Sequence, residues 1–407
     1  MNKPIPEFDT DIFSHESVRN ANAVDDRLRE FAPVVRLPGE NVIMVARFEH
    51  VAAGLRDWKT FSSTSRPWHD PNSVRPELLL TDDPPKHTGV RSVVANALSP
   101  QAMAKMAEAF RADADALVSR LKARGDGTEV DAVAEITQAF VYKVLPDLLG
   151  LPEAGREHLS AFGNMVWATM GPMNALFHET MAETGQPVID WATNACKREH
   201  LLPGSLGMAM YEAADRGEIT QDEAYLLVGI LLSAAADTTV ITLANAIRAF
   251  SEFPDQLALV RSEPKLVRAA FEESLRWDSP SRMAGRIAMR DVEIDGYTIP
   301  AGERCGLMFA AANRDPRKWS DPARFDVRRP NTGHLGFGFG VHACVGRALA
   351  LLEADALLGA FTRHVSRVEP AGPVEPWMTT IGHGPARLPV RGRWWSSTVR
   401  LPVRLHF

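Results

Sequence analysis

Cys344 is set apart from Cys196 and Cys305 by its surroundings in this 407-residue chain. It closes the run Gly333-His334-Leu335-Gly336-Phe337-Gly338-Phe339-Gly340-Val341-His342-Ala343-Cys344-Val345-Gly346. So many glycines disfavour helix and strand, and they let a tight loop approach something flat and bulky. An apolar helix is expected from near Val345. Cys344 would then stand where free backbone N–H groups and the positive end of the helix dipole stabilise a thiolate, as ligation of a metal by sulfur requires. Cys196 and Cys305 carry no such signals and read as packing.

A second set of groups lies in the middle of the sequence. Residues 226–236 are apolar almost all round except Ser233, which implies a helix buried on every side. Asp237, Thr238 and Thr239 follow directly. A carboxylate buried there costs several kcal/mol, on the order of 2–7, unless it is hydrogen-bonded. It is either a proton-handling group or the cap of a helix end. Thr220 and Glu223 have capping-box spacing, so this helix is expected to start after Thr220 and run to about Phe250, before Pro254. His87 and Arg91 share one helical face at a spacing of four, and Glu273 and Arg276 can pair at a spacing of three.

These groups need a scaffold, and composition bounds it. Lys plus Arg number 45 against 51 Asp plus Glu, a net charge of −6, with 45% hydrophobic and 24% charged residues. This is the profile of a globular chain, not of a disordered, collagen-like or coiled-coil one. No run of 18 residues is wholly apolar, and residues 1–10 do not resemble a signal peptide, so a cytoplasmic protein without a membrane anchor is expected. Three scattered cysteines cannot build a disulfide framework or a zinc site, and the acidic balance argues against nucleic acid. With no linker, residues 1–407 are expected to form one domain, with an extra strand or tail appended from about 392, where Arg387-Leu388-Pro389-Val390-Arg391 recurs at 400–404. The elements expected are mainly α with small β-sheets. Residues 100–122 read as a helix capped by Ser99; hairpins are expected at 34–45, about Pro38-Gly39, and at 292–299, about Asp295-Gly296.

From Phe337 to Gly346 the chain meets every fixed position of F-G-x-G-x-H-x-C-x-G, and it thereby resembles the cytochrome P450 family. Glu273-Ser274-Leu275-Arg276 matches the family's E-x-x-R motif, Arg329 the residue that completes its buried ion network, and the segment 311–316 a further structural landmark. The resemblance implies the P450 fold and a haem b held by Cys344, with Phe337, Gly338 and Gly346 against it. His87, Arg91, Arg286 and His342 match the contacts to its propionates, while Glu273, Arg276 and Arg329 are structural. Ala234-Ala235-Ala236-Asp237-Thr238 looks like the acid-alcohol motif, in which Thr238 hydrogen-bonds the oxygen being activated and Asp237 relays protons. Peroxide-driven relatives lack that pair, so electron-driven use of O2 is implied, and a haem-thiolate sensor without turnover would have no need of it. No flavin or nicotinamide fingerprint is present, so electrons would come from a separate ferredoxin or flavin/iron-sulfur reductase. Arg347 is a candidate docking charge or a solvated arginine.

Stretches such as Leu80-Thr81-Asp82-Asp83-Pro84-Pro85 and Gly155-Arg156-Glu157-His158-Leu159 resemble the bacterial branch that O-demethylates para-substituted methoxybenzoates. In that branch polar residues hold the benzoate carboxylate. Here the aligned positions read Val74, Glu77, Gly229 and Ile230; Ser233 alone remains, with Arg75 nearby as the feature that keeps an acid in play. Ala284-Gly285 replaces bulkier residues, and Leu80, Trp167, Met170, Ile230, Ser233 and Ala234 complete the expected pocket. These changes point to a small neutral aromatic, such as a 4-alkylguaiacol, O-demethylated to a catechol and formaldehyde. The alternatives are a methoxybenzoate, or hydroxylation of a terpenoid or alkylbenzene.

Overall fold

Short apolar runs bounded by turn residues become small sheets, and the long apolar stretches between them become helices. In the computed structural model, which describes residues 3–64, 78–330 and 333–394, 55% of the chain is helical. The strands are β1 (Val34–Leu37), β2 (Val42–Val45), β3 (Phe61–Ser62), β4 (Glu129–Asp131), β5 (Met283–Ala288), β6 (Val292–Ile294), β7 (Tyr297–Ile299), β8 (Arg304–Met308), β9 (Val365–Pro370), β10 (Glu375–Pro376), β11 (Pro385–Arg387) and β12 (Pro389–Trp394). The helices that frame the site are α1 (Phe48–Arg56), α2 (Lys86–Ala97), α3 (Ala107–Ala123), α4 (Ala139–Leu149), α5 (Leu159–Thr169), α6 (Ala175–Ala195), α7 (Gln221–Glu252), α8 (Val267–Trp277) and α9 (Arg347–His364).

Both expected hairpins form. β1 and β2 pair antiparallel from Val34 with Val45 to Leu37 with Val42. Between β6 and β7, Asp295 and Gly296 take φ of 50° and 83°, the left-handed pair that a two-residue hairpin turn requires. The first hairpin belongs to a five-stranded sheet in the order β1-β2-β8-β5-β3, with β2 and β8 parallel. β5 and β8 were not anticipated, because Met-Ala-Gly-Arg-Ile-Ala has no alternation to mark it as a strand. β5 carries Ala284, Gly285 and Arg286 to the cavity described below.

α7 crosses the molecule. The Glu223 N–H donates to Thr220 Oγ1 at 3.1 Å and the Thr220 N–H to Glu223 Oε2 at 2.8 Å, the reciprocal cap expected. By length and composition α7 is also apolar enough to cross a membrane; 61% of its most apolar window is buried within this fold, in the core shared with α3, α4, α8 and α9. Asp237 and Thr238 lie in mid-helix, so the helix-end reading of those residues is overturned. Residues 100–122 do not form one helix: Ser99 Oγ caps a short turn, Pro100–Ala104, and α3 begins afresh at Ala107. Gly392 to Trp394, expected in an appended tail, continue β12, which pairs with both β4 and β9. The repeat at 400–404, and Val74, Arg75 and Glu77, lie outside the described residues.

Candidate active site

The glycines of the Cys344 loop act first on the protein itself. Gly340 has φ of 69°, and a Cβ there would stand 2.3 Å from the Leu55 carbonyl oxygen, so only glycine lets the loop abut α1. The Cys344 N–H donates to the Phe337 carbonyl at 2.7 Å and closes the loop. α9 starts at Arg347, later than expected, and Cys344 lies ahead of its first turn. Its sulfur has free surface, yet that surface belongs to a deep cavity and not to bulk water. Burial pushes the thiol above its ordinary value despite the Gly346 N–H directed at it. The expectation that the loop alone stabilises the anion is therefore corrected; a ligated metal would deprotonate the thiol outright. Cys196 and Cys305 are buried with their thiols pushed up to about 12, as befits inert packing.

The cavity, about 390 Å³, is walled by Cys344, Phe337, Gly338 and Gly346 on one side and by α7 on the other. His87, Arg91, Arg286 and His342 all reach it. Arg91 Nη2 donates to the Ala343 carbonyl, tying α2 to the Cys344 loop. His342 Nε2 is 3.0 Å from Ser63 Oγ, and the His87 and His342 rings are 4.4 Å apart. His87 Nε2 is buried without a hydrogen-bond partner among the described residues. Arg286 is 7% exposed and, among the described residues, its only hydrogen bond goes to the Gly285 carbonyl at 2.7 Å. Buried donors of this kind are costly unless an acceptor meets them. Such a set suits a ligand carrying carboxylates.

Below the cavity, Glu273 is fully buried and accepts from Arg276 Nη2 at 2.7 Å, Arg276 Nε at 2.9 Å and Arg329 Nε at 3.1 Å. Arg276 further donates to the carbonyls of Asn313, Pro322 and Arg324. The three residues staple α8 to the segment leading into the Cys344 loop.

On the α7 wall, Ile230, Ala234, Thr238 and Thr242 recur every fourth residue and face the cavity. Thr238 Oγ1 donates back to the Ala234 carbonyl at 2.7 Å. Asp237, about 100° round the helix, is not on the wall. Its Oδ1 accepts from the Tyr142 hydroxyl at 2.9 Å, its Oδ2 is buried without a partner, and burial pushes its carboxyl up to about 7.

Leu80, Met170, Ala284 and Gly285 line the cavity as expected, whereas Trp167 and Ser233 do not. Trp167 turns into a separate cluster, edge-on to Trp377 at 5.4 Å. Ser233 lies off the every-fourth stripe, its hydroxyl back-bonded to the Ile230 carbonyl at 3.2 Å. Tyr142, Ser63 and Glu353 were missed. Glu353, a lone acid in an apolar stretch of α9, was the one with a visible signal; it lines the cavity, both its oxygens lack partners, and burial pushes it up to about 8.

The sequence model described as Cytochrome P450 matches residues 130–384. Cytochrome p450 CYP199A2 of Rhodopseudomonas palustris is 39% identical over 397 residues, covering 95% of this chain and 94% of its own. The chain belongs to the cytochrome P450 family. It is also 30% identical to 6-deoxyerythronolide B hydroxylase of Saccharopolyspora erythraea, over 88% of this chain and 90% of that protein. Among solved structures, CYP109E1 from Bacillus megaterium in complex with testosterone superposes with a TM-score of 0.82 at 25% identity, covering 93% of this chain and 99% of that one. As a P450 the protein is a haem-thiolate monooxygenase: its cofactor is haem b, and it uses O2 with electrons from separate redox partners. The residues present fit that cofactor. The thiol facing the cavity, the unpartnered His87 and the buried Arg286, which forms no ion pair among the described residues, are the donors that an iron and two propionates call for.

Proposed function

We propose that residues 1–407 act as a single haem-thiolate monooxygenase domain in the cytoplasm, O-demethylating a small neutral methoxy-substituted aromatic such as a 4-alkylguaiacol. One observation carries the substrate class. The cations on the cavity wall, among the described residues, are His87, Arg91, Arg286 and His342, all on the side of the ligand loop and the propionate sites. Elsewhere, among the described residues and apart from Glu353, the wall is apolar or hydroxylic, with Leu79, Leu80, Met170, Ile230, Ala234 and Ile381 among its apolar members. A carboxylate there would be buried unpaired, at a cost of several kcal/mol, on the order of 2–7. Glu353 adds an acid and no counter-charge.

In this reading Cys344 ligates the iron, Arg91 and Arg286 supply permanent charge to the propionates, and His87 and His342 supply imidazole N–H groups. Bound haem, given O2 and two electrons, supplies insertion of one oxygen atom into a C–H bond, with the other leaving as water. Thr238 offers its hydroxyl to the reacting oxygen once it releases the Ala234 carbonyl, and Asp237 is the acid that resupplies the proton. Hydroxylation of the methoxy carbon gives a hemiacetal, which loses formaldehyde and leaves the phenol of a catechol. Electrons arrive from a ferredoxin or a flavin/iron-sulfur reductase on the face of Arg347, whose side chain is 58% exposed while bound to Glu272.

The test is a spectral titration of the ferric holoenzyme with 4-propylguaiacol and, separately, 4-methoxybenzoate. The Soret shift that follows loss of the distal water is expected with the guaiacol at concentrations where the benzoate gives none, with formaldehyde released on turnover. The opposite order would return the reading to an aromatic acid.

A further inference from the structure

Asp237 is held in an unusual way for an acid that must feed a reaction. It is 6% exposed, at the junction of α4, α5 and α7. From α4, the Tyr142 hydroxyl donates to Oδ1 at 2.9 Å. From α5, Gly163 closes over the other oxygen so tightly that a Cβ there would stand 1.9 Å from Oδ2. No Lys, Arg or His among the described residues pairs with it, and Oδ2 has no partner. Of the elements packed about this carboxyl, α4 offers the titratable Tyr142, α5 offers Gly163 and Ser160, and the π-helix Ala132–Gln138 that leads into α4 offers Gln138; Ser160 and Gln138 approach the phenol. Glu353 stands at the opposite face of α7, beside Thr239. The environment is therefore a neutral clamp of one hydroxyl and one bare Cα.

Resting on the proposed role of Asp237 as proton donor, we propose that Tyr142 is its positioning residue, fixing the carboxyl away from the cavity wall in one rotamer against Gly163. Two consequences follow. The hydroxyl stabilises the ionised form more than the neutral one, so it opposes the effect of burial and keeps the acid able to titrate near neutrality. Delivery towards Thr238 requires the carboxyl to leave Tyr142, so α4 and α5 together set how readily the proton is given up.

Difference infrared spectroscopy on the ferric holoenzyme, wild type against Asp237→Asn, isolates the carboxyl C=O band of Asp237 and its titration. In Tyr142→Phe the band is expected at higher wavenumber, and its pH midpoint is expected to rise by about one unit, as loss of one hydrogen bond to the charged form demands. The pH at which product per electron begins to fall should rise by the same amount. Gly163→Ala perturbs the same carboxyl with Tyr142 intact, and it is expected to shift the band because the new methyl evicts Oδ2 from its rotamer. An unchanged band and midpoint in Tyr142→Phe would overturn the proposal, or in Gly163→Ala if the first variant does not fold. Asp237→Asn reports separately: if it leaves the turnover rate unchanged, the donor role fails, while the band still decides whether Tyr142 holds the carboxyl.

Discussion

Glu353 on α9 is fully buried against Thr239 of α7, with both carboxyl oxygens lacking partners among the described residues. Burial pushes its folded-state value up to about 8. The group binds a proton in the folded protein at pH values where the unfolded chain has lost it, so stability falls as pH rises. The window runs from about 4.5, the unfolded value, to about 8, with a slope approaching 1.4 kcal/mol per unit. Above about 8 both states are ionised and the slope vanishes. Glu353→Gln is expected to flatten this dependence and to raise the melting temperature at pH 8 more than at pH 5. Melting scans of the ferric protein across that range check it, and parallel curves for the two proteins would refute it.

Glu273 sits between two arginines, with Arg276 as fully buried as itself. Removing the carboxylate in Glu273→Ala strands a buried guanidinium, which costs about 3–5 kcal/mol. The joint it secures leads into the Cys344 loop, so the variant is expected to be recovered with little haem. Haem content per chain and chemical denaturation of the remaining folded fraction measure the two effects.

How far the sequence foretold this site depended on how local each signal was. The ligand loop, the capping box at Thr220 and the turn at Asp295-Gly296 are written in adjacent residues, and all three form. Trp167 and Ser233 were misplaced because which face of a helix meets a cavity is decided by packing: Trp167 is claimed by Trp377, 210 positions away. Tyr142 gave no local signal at all; its partner Asp237 lies 95 positions on. β5, which brings Arg286 to the wall, is too short and too irregular to announce itself. The backbone donors beside Cys344 do not by themselves hold its free thiol as the anion for a similar reason, since depth in the fold outweighs them.

Arg286 is a permanent cation, its guanidinium held by burial at about 10, still charged at neutral pH. With no carboxylate in an ion pair with it among the described residues, its proposed partner is a haem propionate. Arg286→Leu removes one charge-assisted contact, about 1.5–3 kcal/mol, and should speed haem loss by roughly ten- to a hundredfold. Transfer of haem to an excess of an acceptor protein gives the rate. A rate equal to that of the wild type would remove Arg286 from the cofactor site.

In the proposed mechanism Thr238, on the cavity wall, and Asp237, behind it, divide one task. Thr238→Ala removes the hydroxyl proposed to meet the reacting oxygen and leaves the Cys344 loop and the proposed redox face untouched. Electron uptake is therefore expected to persist while product per electron falls about tenfold or more, with hydrogen peroxide making up the difference. Asp237→Asn keeps the shape yet cannot give up an acid proton, so slower turnover, by about a hundredfold, is expected. The pH dependence separates the two. Asp237 is neutral below about 7 and ionised above it. Product per electron in the wild type should decline as pH rises through that value, a limb that Asp237→Asn abolishes and Thr238→Ala retains. Peroxide and formaldehyde measured together between pH 6 and 9, scaled to electrons consumed, distinguish these outcomes; a flat wild-type profile would mean the proton reaches the oxygen by a route that bypasses Asp237.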